Sequence, residues 1–135
     1  MSDEWTDIPS IYYLVRDVVF KASTTAICGP YFFSLNPTIR KVFWDFDMHM
    51  PKLFKLLPRW MIPGSFRARD KVLFAIKKWH AFAKENCDLD DEEVQKSEWE
   101  PYFGSKLMRD RQREYGAIGH DADALASQDL AMIWA

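Results

Sequence analysis

The segment from Asn36 to Pro63 constrains the fold most, because its apolar residues recur at the spacing of an α-helix. Asn36 suits the N-cap position, and Pro37 suits the first turn, where a missing N–H costs nothing. Pro51 removes a donor from the helical ladder, so the sequence predicts a kink or break just before it and a shorter helix ending near Pro58. The predicted buried stripe consists of Ile39, Val42, Phe43, Phe46, Met50, Leu53, Phe54 and Leu57.

Two more long helices are predicted, one on each side of this segment. The first begins at a cap on Asp7 and ends at Gly29 and Pro30, which gives about five turns, or roughly 30 Å. The second follows Pro63 and is capped by Ser65. We expect Ile8, Ile11, Tyr12, Val15, Val18, Val19, Ala22 and Ala26 to be buried in the first helix, and Val72, Ala75, Ile76, Trp79, Phe82 and Ala83 in the second.

The remaining segments predict further helices joined by polar connections. Residues 31–35 form a short apolar connector, and residues 88–100 form a charged connector of low structural information. A helix over residues 106–115 stops at Gly116, and a last helix begins near Asp121 to Asp123, whose negative charge favours a helix N-terminus. Because no repeat or hairpin signal is present, we predict an all-α fold for the single unit 1–135.

Charge is distributed unevenly along the chain, although the formal net charge is only -2. Eleven Lys or Arg face three Asp between Arg40 and Lys84, whereas residues 85–100 contain eight acidic residues and one Lys. Six Trp are also present. A basic, aromatic half is typical of a surface that meets anionic or amphiphilic material, but solvated helix faces have the same composition.

Several classes of protein are disfavoured by what the sequence lacks. Two cysteines, Cys28 and Cys87, are too few for a disulfide scaffold and favour a reducing, intracellular setting. No apolar run is long enough to span a bilayer, and the acidic start is not a signal peptide. The pI near 5.9 and the absence of a recognised nucleic-acid module argue against nucleic acid as a partner.

Neither a catalytic centre nor a metal site is predicted from residue spacing. His49, His80 and His120 are scattered singly, so each is a packing or surface residue rather than a ligand. Asp45 and Asp47 lie two positions apart on a helix and therefore point to different faces, which favours capping or surface pairing over acid–base chemistry. No nucleophile-elbow, P-loop or dinucleotide fingerprint occurs.

Four motifs follow one another along the chain, namely VRDVVFKASTTAICGP, FWDFDMHMPKLFKLLPRWMIP, RARDKVLFAIKKW and SQDLAMIWA. Their order resembles the middle of a cytochrome P450, a haem-thiolate monooxygenase. The branch it most resembles contains fungal proteins similar to cholesterol 7-alpha-hydroxylase and prostacyclin synthase. The resemblance implies a partial P450 fold with helices E, F, G, H and the start of helix I. We therefore expect the chain, which ends at Ala135 within an apolar helical pattern, to be a piece of a larger enzyme.

The family motifs for oxygen chemistry do not occur in this sequence. Neither Cys28 nor Cys87 lies in a Phe-x-x-Gly loop leading to the thiolate ligand, and the Glu-x-x-Arg pair, the Trp-x-x-x-Arg propionate site and the acid–Thr pair are absent. The resemblance implies haem in the complete parent protein, but we expect none to bind this chain alone, which should be inactive. The alternative is a self-sufficient helical module that binds membranes or a partner without catalysis.

The resemblance also implies which residues face a substrate and a membrane. The parent family acts on hydrophobic small molecules, sterol-like or lipid compounds among them, uses a reductase, and lies at the cytoplasmic face of the endoplasmic reticulum membrane. Trp134 and Ala135 match the opening of helix I and are expected to contact substrate, although plain core packing is the alternative. The residues expected to face the membrane are Lys52, Lys55, Arg59, Trp60, Met61, Ile62 and Phe66, with packing of Trp60 and Phe66 between two helices as the alternative.

Overall fold

Most residues of the computed structural model, which describes residues 7–134, lie in α-helices, so the predicted mainly helical fold is confirmed. The elements in chain order are α1 (Ile11–Cys28), α2 (Tyr31–Leu35), α3 (Ile39–Leu53), α4 (Pro63–Asn86), α5 (Glu92–Lys96), β1 (Trp99–Glu100), β2 (Gly104–Ser105), α6 (Lys106–Ala117) and α7 (Ala122–Trp134).

The longest helix, α4, lies at the centre, with α3 and α7 packed along it. Its predicted inner face is confirmed except at Phe82, which is only half-buried. Trp79 is fully buried, and its indole N–H donates a 2.8 Å hydrogen bond to the Tyr102 carbonyl oxygen. This bond satisfies the one polar group of a large apolar side chain and fixes the segment before α6 against α4.

The start of α4 differs from the prediction at Ser65. Ile62 occupies the N-cap and Pro63 the first helical position, where its missing N–H is tolerated. Ser65 lies inside the first turn and is buried, with its Oγ 2.9 Å from Nδ1 of His49. The Ser65 side chain thus joins α4 to α3 instead of capping α4.

Helix α3 begins at Ile39, with Thr38 as its N-cap, two residues later than predicted. Asn36 is buried, and its side-chain amide donates to the carbonyl oxygens of Phe32 (3.1 Å) and Ala75 (3.2 Å). The predicted cap at Asn36 is therefore wrong, because its amide joins the end of α2 to α4 before α3 begins. The segment predicted as a connector forms the short helix α2 itself.

Pro51 lies within the last turn of α3 without breaking the helix, so the predicted break before it is wrong. A proline this close to the end removes one hydrogen bond, while the Phe54 N–H still bonds to the Met50 carbonyl oxygen at 2.9 Å. The shorter helix predicted to end near Pro58 does not form. Turns follow instead, and Leu56 has a left-handed backbone with φ 52°.

Helix α1 has the predicted length and ends at Gly29 as predicted, but it starts at Ile11 rather than at a cap on Asp7. Gly29 has φ 82°, a conformation that glycine adopts without strain. All eight residues predicted to be buried are exposed, and the buried stripe is formed by Phe20, Thr24 and Cys28. The prediction failed because the packed partners α2 and the hairpin contact a different face of the helix.

A small antiparallel hairpin, which the sequence analysis missed, joins α5 to α6. Trp99 pairs with Ser105 and Glu100 with Gly104. The Glu100 carboxylate accepts hydrogen bonds from the backbone N–H groups of Tyr102 (2.9 Å) and Phe103, which holds Phe103 in the core. Gly104, with φ 80°, packs so closely on the end of α1 that a Cβ atom there would overlap the backbone of α1.

Candidate ligand groove and associated polar contacts

An open apolar groove of about 740 Å³ lies between the end of α3, the start of α4 and the end of α7. We call it the ligand groove. Its lining residues are Phe46, Met50, Leu53, Phe54, Leu56, Leu57, Phe66, Arg69, Leu73, Ser127, Leu130, Ala131 and Trp134. Concave, mostly apolar sites of this size with few polar groups are typical of binding sites for hydrophobic small molecules.

Trp134, one of the two residues predicted to contact substrate, lies at one end of the ligand groove. Its indole N–H donates a 2.8 Å hydrogen bond to Oδ1 of Asp47, and its ring centroid lies 6.0 Å from that of Phe54. The Asp47 carboxylate on α3 thereby fixes the orientation of the indole on α7. The substrate role of Trp134 stays a prediction, and Ala135 lies outside the described residues.

The residues predicted to face a membrane divide into two groups. Lys52, Lys55, Arg59, Trp60 and Met61 are exposed, whereas Ile62 and Phe66 are half-buried. Trp60 has 78% of its surface exposed, so it does not pack between helices. Phe66 does pack, because it lines the ligand groove and lies under the guanidinium groups of Arg59 (5.5 Å) and Arg69 (4.8 Å). Contact with a membrane remains a prediction for all seven.

Further apolar residues that the site prediction missed are exposed in the loop between α3 and α4. Phe54 and Leu56 project from this loop, and Leu56 is 90% exposed. Together with Trp60 and Met61 they form what we call the loop surface. Its sequence signal was the run LFKLLPRWMI, in which apolar residues are too dense to be buried on one side of a helix.

The cations beside the loop surface differ in their partners. Arg59 contacts the Asp70 carboxylate, which also accepts a 3.2 Å hydrogen bond from Arg69. Among the described residues, neither Lys52 nor Lys55 has an ion pair. The two lysines therefore leave positive charge next to exposed apolar side chains.

A buried polar cluster lies between α4, α6 and α7. Asp129 is 2% exposed, and its Oδ2 lies 2.7 Å from His80 Nε2 and 2.9 Å from the Gln112 side-chain amide nitrogen. Arg111 approaches Oδ1 at 3.5 Å. His80, which was predicted to be either a packing or a surface residue, is buried, whereas its contact with Asp129 was not predicted. The signal was available, because Asp129 falls on the same helical stripe as Leu125, Ala126 and Leu130.

Both cysteines lie in surroundings that disfavour the thiolate form. Burial, followed by the charge of Asp129, raises the pKa of Cys28 far above its ordinary value. Burial, followed by the charge of Glu100, raises the pKa of Cys87 to about 11, although Arg109 opposes the shift. A haem-thiolate bond requires a thiolate. Among the residues described, neither cysteine fits the role of a haem ligand.

Residues 7–134 contain neither a candidate metal-binding cluster nor a helix suited to spanning a membrane. No group of three or more His, Cys, Asp or Glu is arranged to hold a metal ion within that range. None of the helices described is both long and apolar enough to cross a membrane.

Taken together, the helices, the groove and the loop surface define a helical chain with an open apolar site. Comparison with known proteins identifies relatives over nearly its whole length. It is 38% identical over 133 residues to the cytochrome P450 monooxygenase fsoE of Humicola fuscoatra. That alignment covers 98% of this chain and 23% of fsoE. It is also 38% identical over 138 residues to the cytochrome P450 monooxygenase efuG of Hormonema carpetanum. That alignment covers 100% of this chain and 24% of efuG.

A third relative, the cytochrome P450 monooxygenase calL of Penicillium decumbens, is 28% identical over 107 residues, or 79% of this chain and 20% of that protein. No protein-family model matches the chain, and no solved structure matches it significantly. The chain spans about a quarter of the length of the first two relatives. These similarities support the resemblance to cytochrome P450 monooxygenases that the motifs indicate.

Proposed function

We propose that this chain is a segment of a cytochrome P450 monooxygenase that forms part of the substrate-access region. In this proposal α1 corresponds to helix E, α3 to helix F, α4 to helix G, α6 to helix H and α7 to the start of helix I. The observation that carries the proposal is the apolar ligand groove, which opens beside the exposed loop surface. A hydrophobic substrate would enter between the α3–α4 loop and Trp134.

The activity proposed for the complete protein is insertion of one oxygen atom of O₂ into a hydrophobic substrate, with sterol-like and lipid compounds as the favoured class. Haem would supply the oxygen chemistry there, and a reductase the electrons. The cysteines of this chain do not fit haem ligation, so its own residues would shape and orient the substrate only. We expect the 135-residue chain alone to be inactive.

The loop surface and its two lysines support contact with a membrane. Aromatic rings favour the headgroup region of a bilayer, and each Lys near an anionic surface contributes about 1 kcal/mol of attraction. Trp60 and Leu56 lie outside the protein core, so inserting them into lipid costs no internal packing. We place the complete protein at the cytoplasmic face of the endoplasmic reticulum membrane on the basis of the family resemblance.

Vesicle sedimentation across a salt series tests the membrane contact. The chain should bind vesicles that contain anionic lipid, and salt should weaken the binding through screening. Trp60→Ala should reduce binding at every salt concentration because it removes apolar burial. Lys52→Ala with Lys55→Ala should reduce binding chiefly at low salt, because that change removes charge.

The matched control for these variants is Ile118→Ala, which removes an exposed apolar side chain at the end of α6, outside both the loop surface and the ligand groove. Its vesicle binding should equal that of the wild type. Equal binding by the wild type, the Trp60 variant and the double Lys variant at all salt concentrations would refute the membrane contact.

A spectroscopic experiment tests the proposed lack of haem ligation. The chain is mixed with haemin, reduced and exposed to CO. The absorbance band characteristic of thiolate-ligated haem should not appear, because burial holds both cysteines in the thiol form. Appearance of that band, and its loss in Cys28→Ala or Cys87→Ala, would contradict the proposal and identify the ligand.

A further inference from the structure

A second groove, separate from the ligand groove, lies between the α2–α3 junction and the outer face of α4. Its volume is about 700 Å³. Val42 and Ala75 contribute apolar lining, while Arg67, Lys71 and Lys78 project from α4. We call it the basic groove. Neither Trp60 nor Trp134 lines it.

The cations of the basic groove follow one stripe of α4. Arg67, Lys71, Phe74 and Lys78 are spaced by four, three and four residues, which places them on a single helix face. All four are exposed, and Phe74 has 69% of its surface exposed. The stripe therefore combines three positive charges with an apolar ring at its centre.

These positive charges have no anionic partner among the described residues. Lys71 forms no ion pair there, Arg67 makes only a 3.5 Å contact with the Pro63 carbonyl oxygen, and Lys78 donates to the Leu35 carbonyl oxygen at 2.9 Å. The one acid that lines the groove, Asp70, is already paired with two arginines. A ligand that carries several carboxylates would complement this surface.

We propose that the basic groove binds an acidic amphipathic helix of a partner protein. The α2–α3 junction and the exposed stripe of α4 form two walls around an apolar floor, a geometry into which a helix can lay its apolar face, with Phe74 as the exposed anchor. Carboxylates along one side of that apolar face would meet Arg67, Lys71 and Lys78, which all lie on the α4 wall of the groove. A flat lipid surface fits less well, because the floor residues Ile39 and Ala75 are recessed, with 1% and 7% of their surfaces exposed.

Fluorescence anisotropy with a designed probe tests this proposal on the full chain. The probe is a labelled 18-residue helical peptide with Leu along one face and Glu on the flanking positions, and a second peptide carries Lys in place of Glu. The Glu peptide should bind and the Lys peptide should not. Arg67→Glu with Lys71→Glu should raise the Kd of the Glu peptide by about tenfold or more at low salt.

Two further variants distinguish the groove from general surface charge. Phe74→Ala should raise the Kd at low and high salt alike, because it removes an apolar contact. Lys21→Glu with Lys84→Glu, which reverses two exposed cations outside the groove, should leave the Kd of the Glu peptide unchanged. Far-UV circular dichroism checks that each variant is folded.

Three outcomes would overturn the proposal: no binding of the Glu peptide, equal binding of both peptides, or equal weakening by the groove and control charge reversals. Loss of vesicle binding on Arg67→Glu with Lys71→Glu, without loss of peptide binding, would instead identify lipid as the occupant. Because the vesicle experiment depends on Trp60, Lys52 and Lys55, failure of this proposal leaves the membrane contact intact.

Discussion

Asp129 carries a carboxylate into the core, where an ionised group is tolerated only with several hydrogen-bond donors around it. Gln112 presents its side-chain amide nitrogen to Oδ2 at 2.9 Å, and Arg111 presents Nε to Oδ1 at 3.5 Å. His80 Nε2 lies 2.7 Å from Oδ2, and two lone pairs at that distance would repel each other. We therefore infer that His80 holds a proton on Nε2 and donates it to Asp129.

The first prediction follows from this buried contact. Asp129→Ala should lower the free energy of unfolding by about 3 kcal/mol, because His80 and Gln112 would stay buried without their acceptor. Asp129→Asn, which keeps one acceptor oxygen, should lower the free energy of unfolding by a smaller amount. Urea unfolding measures both changes. Lys96→Gln, which removes an exposed ion pair with Glu92, is the control and should have little effect. Equal losses for all three variants would contradict the role of the cluster.

A second prediction at the residue scale concerns Cys87. Burial raises its pKa from 9.0 to about 11, so the folded chain keeps a proton that the unfolded chain loses near pH 9. The stabilising contribution is complete below pH 9 and is lost as the pH rises through about 11. The rate of alkylation by iodoacetamide at pH 8 should be far lower for Cys87 in the folded chain than in urea, and should rise towards pH 11. Equal rates in both states would refute the raised pKa.

The helices differ in how well their buried faces could be predicted from the sequence. The interior face of α4 was predictable because Val72, Ile76 and Trp79 repeat at helical spacing and the helix is packed along its length. In α1 the same rule selected the wrong face. Val15, Val18 and Val19 form an apolar stripe of their own, and the choice between two apolar faces depends on contacts with distant elements that the helix sequence does not encode.

The wrongly predicted N-caps of α3 and α4 had a different cause. Asn36 and Ser65 are residue types that cap helices, yet both donate or accept hydrogen bonds across the fold, with Ala75 and His49 respectively. Local preference is worth about 1 kcal/mol and is outweighed when a buried polar group finds a tertiary partner. The shape of the ligand groove could not be predicted from the sequence, since it depends on how α3 and α7 are each placed on α4. Among the predicted site residues that the structure describes, only Trp134 and Phe66 line it.

The loop between α3 and α4 yields a prediction about Leu56. Its left-handed backbone, φ 52°, is unfavourable for a leucine and places an apolar side chain almost wholly in solvent. Leu56→Asn should raise the free energy of unfolding by about 0.5 to 1 kcal/mol, because Asn tolerates this conformation better. The same variant should bind anionic vesicles more weakly than the wild type. Urea unfolding and vesicle sedimentation measure the two effects.

The control for this variant is Met48→Asn, which replaces an exposed apolar side chain on helical backbone in α3. It should not gain stability, since there is no left-handed conformation to relieve. If Leu56→Asn lowers stability and leaves vesicle binding unchanged, the strained loop has no part in membrane contact.

For the whole molecule, the cooperativity of unfolding distinguishes two hypotheses, the proposed P450 segment and a self-sufficient helical module. A segment that leaves α1 and the ligand groove uncovered should bind ANS and unfold gradually, with weak near-UV circular dichroism. A self-sufficient module should instead give a steep urea transition with a slope expected for its size. Near-UV circular dichroism and urea titration of the 135-residue chain decide between these two hypotheses.

The exposed apolar face of α1 also has a calorimetric consequence. Ile11, Val15, Val18 and Val19 are hydrated in the folded chain and remain hydrated after unfolding, so they contribute little to the change in heat capacity. A fully packed chain of this length would have a heat-capacity change of unfolding of about 1.6 to 2 kcal/mol/K. The measured heat-capacity change of unfolding should lie below that range. A bound partner that covers this face of α1 should raise the heat-capacity change, because unfolding would then expose the face to water.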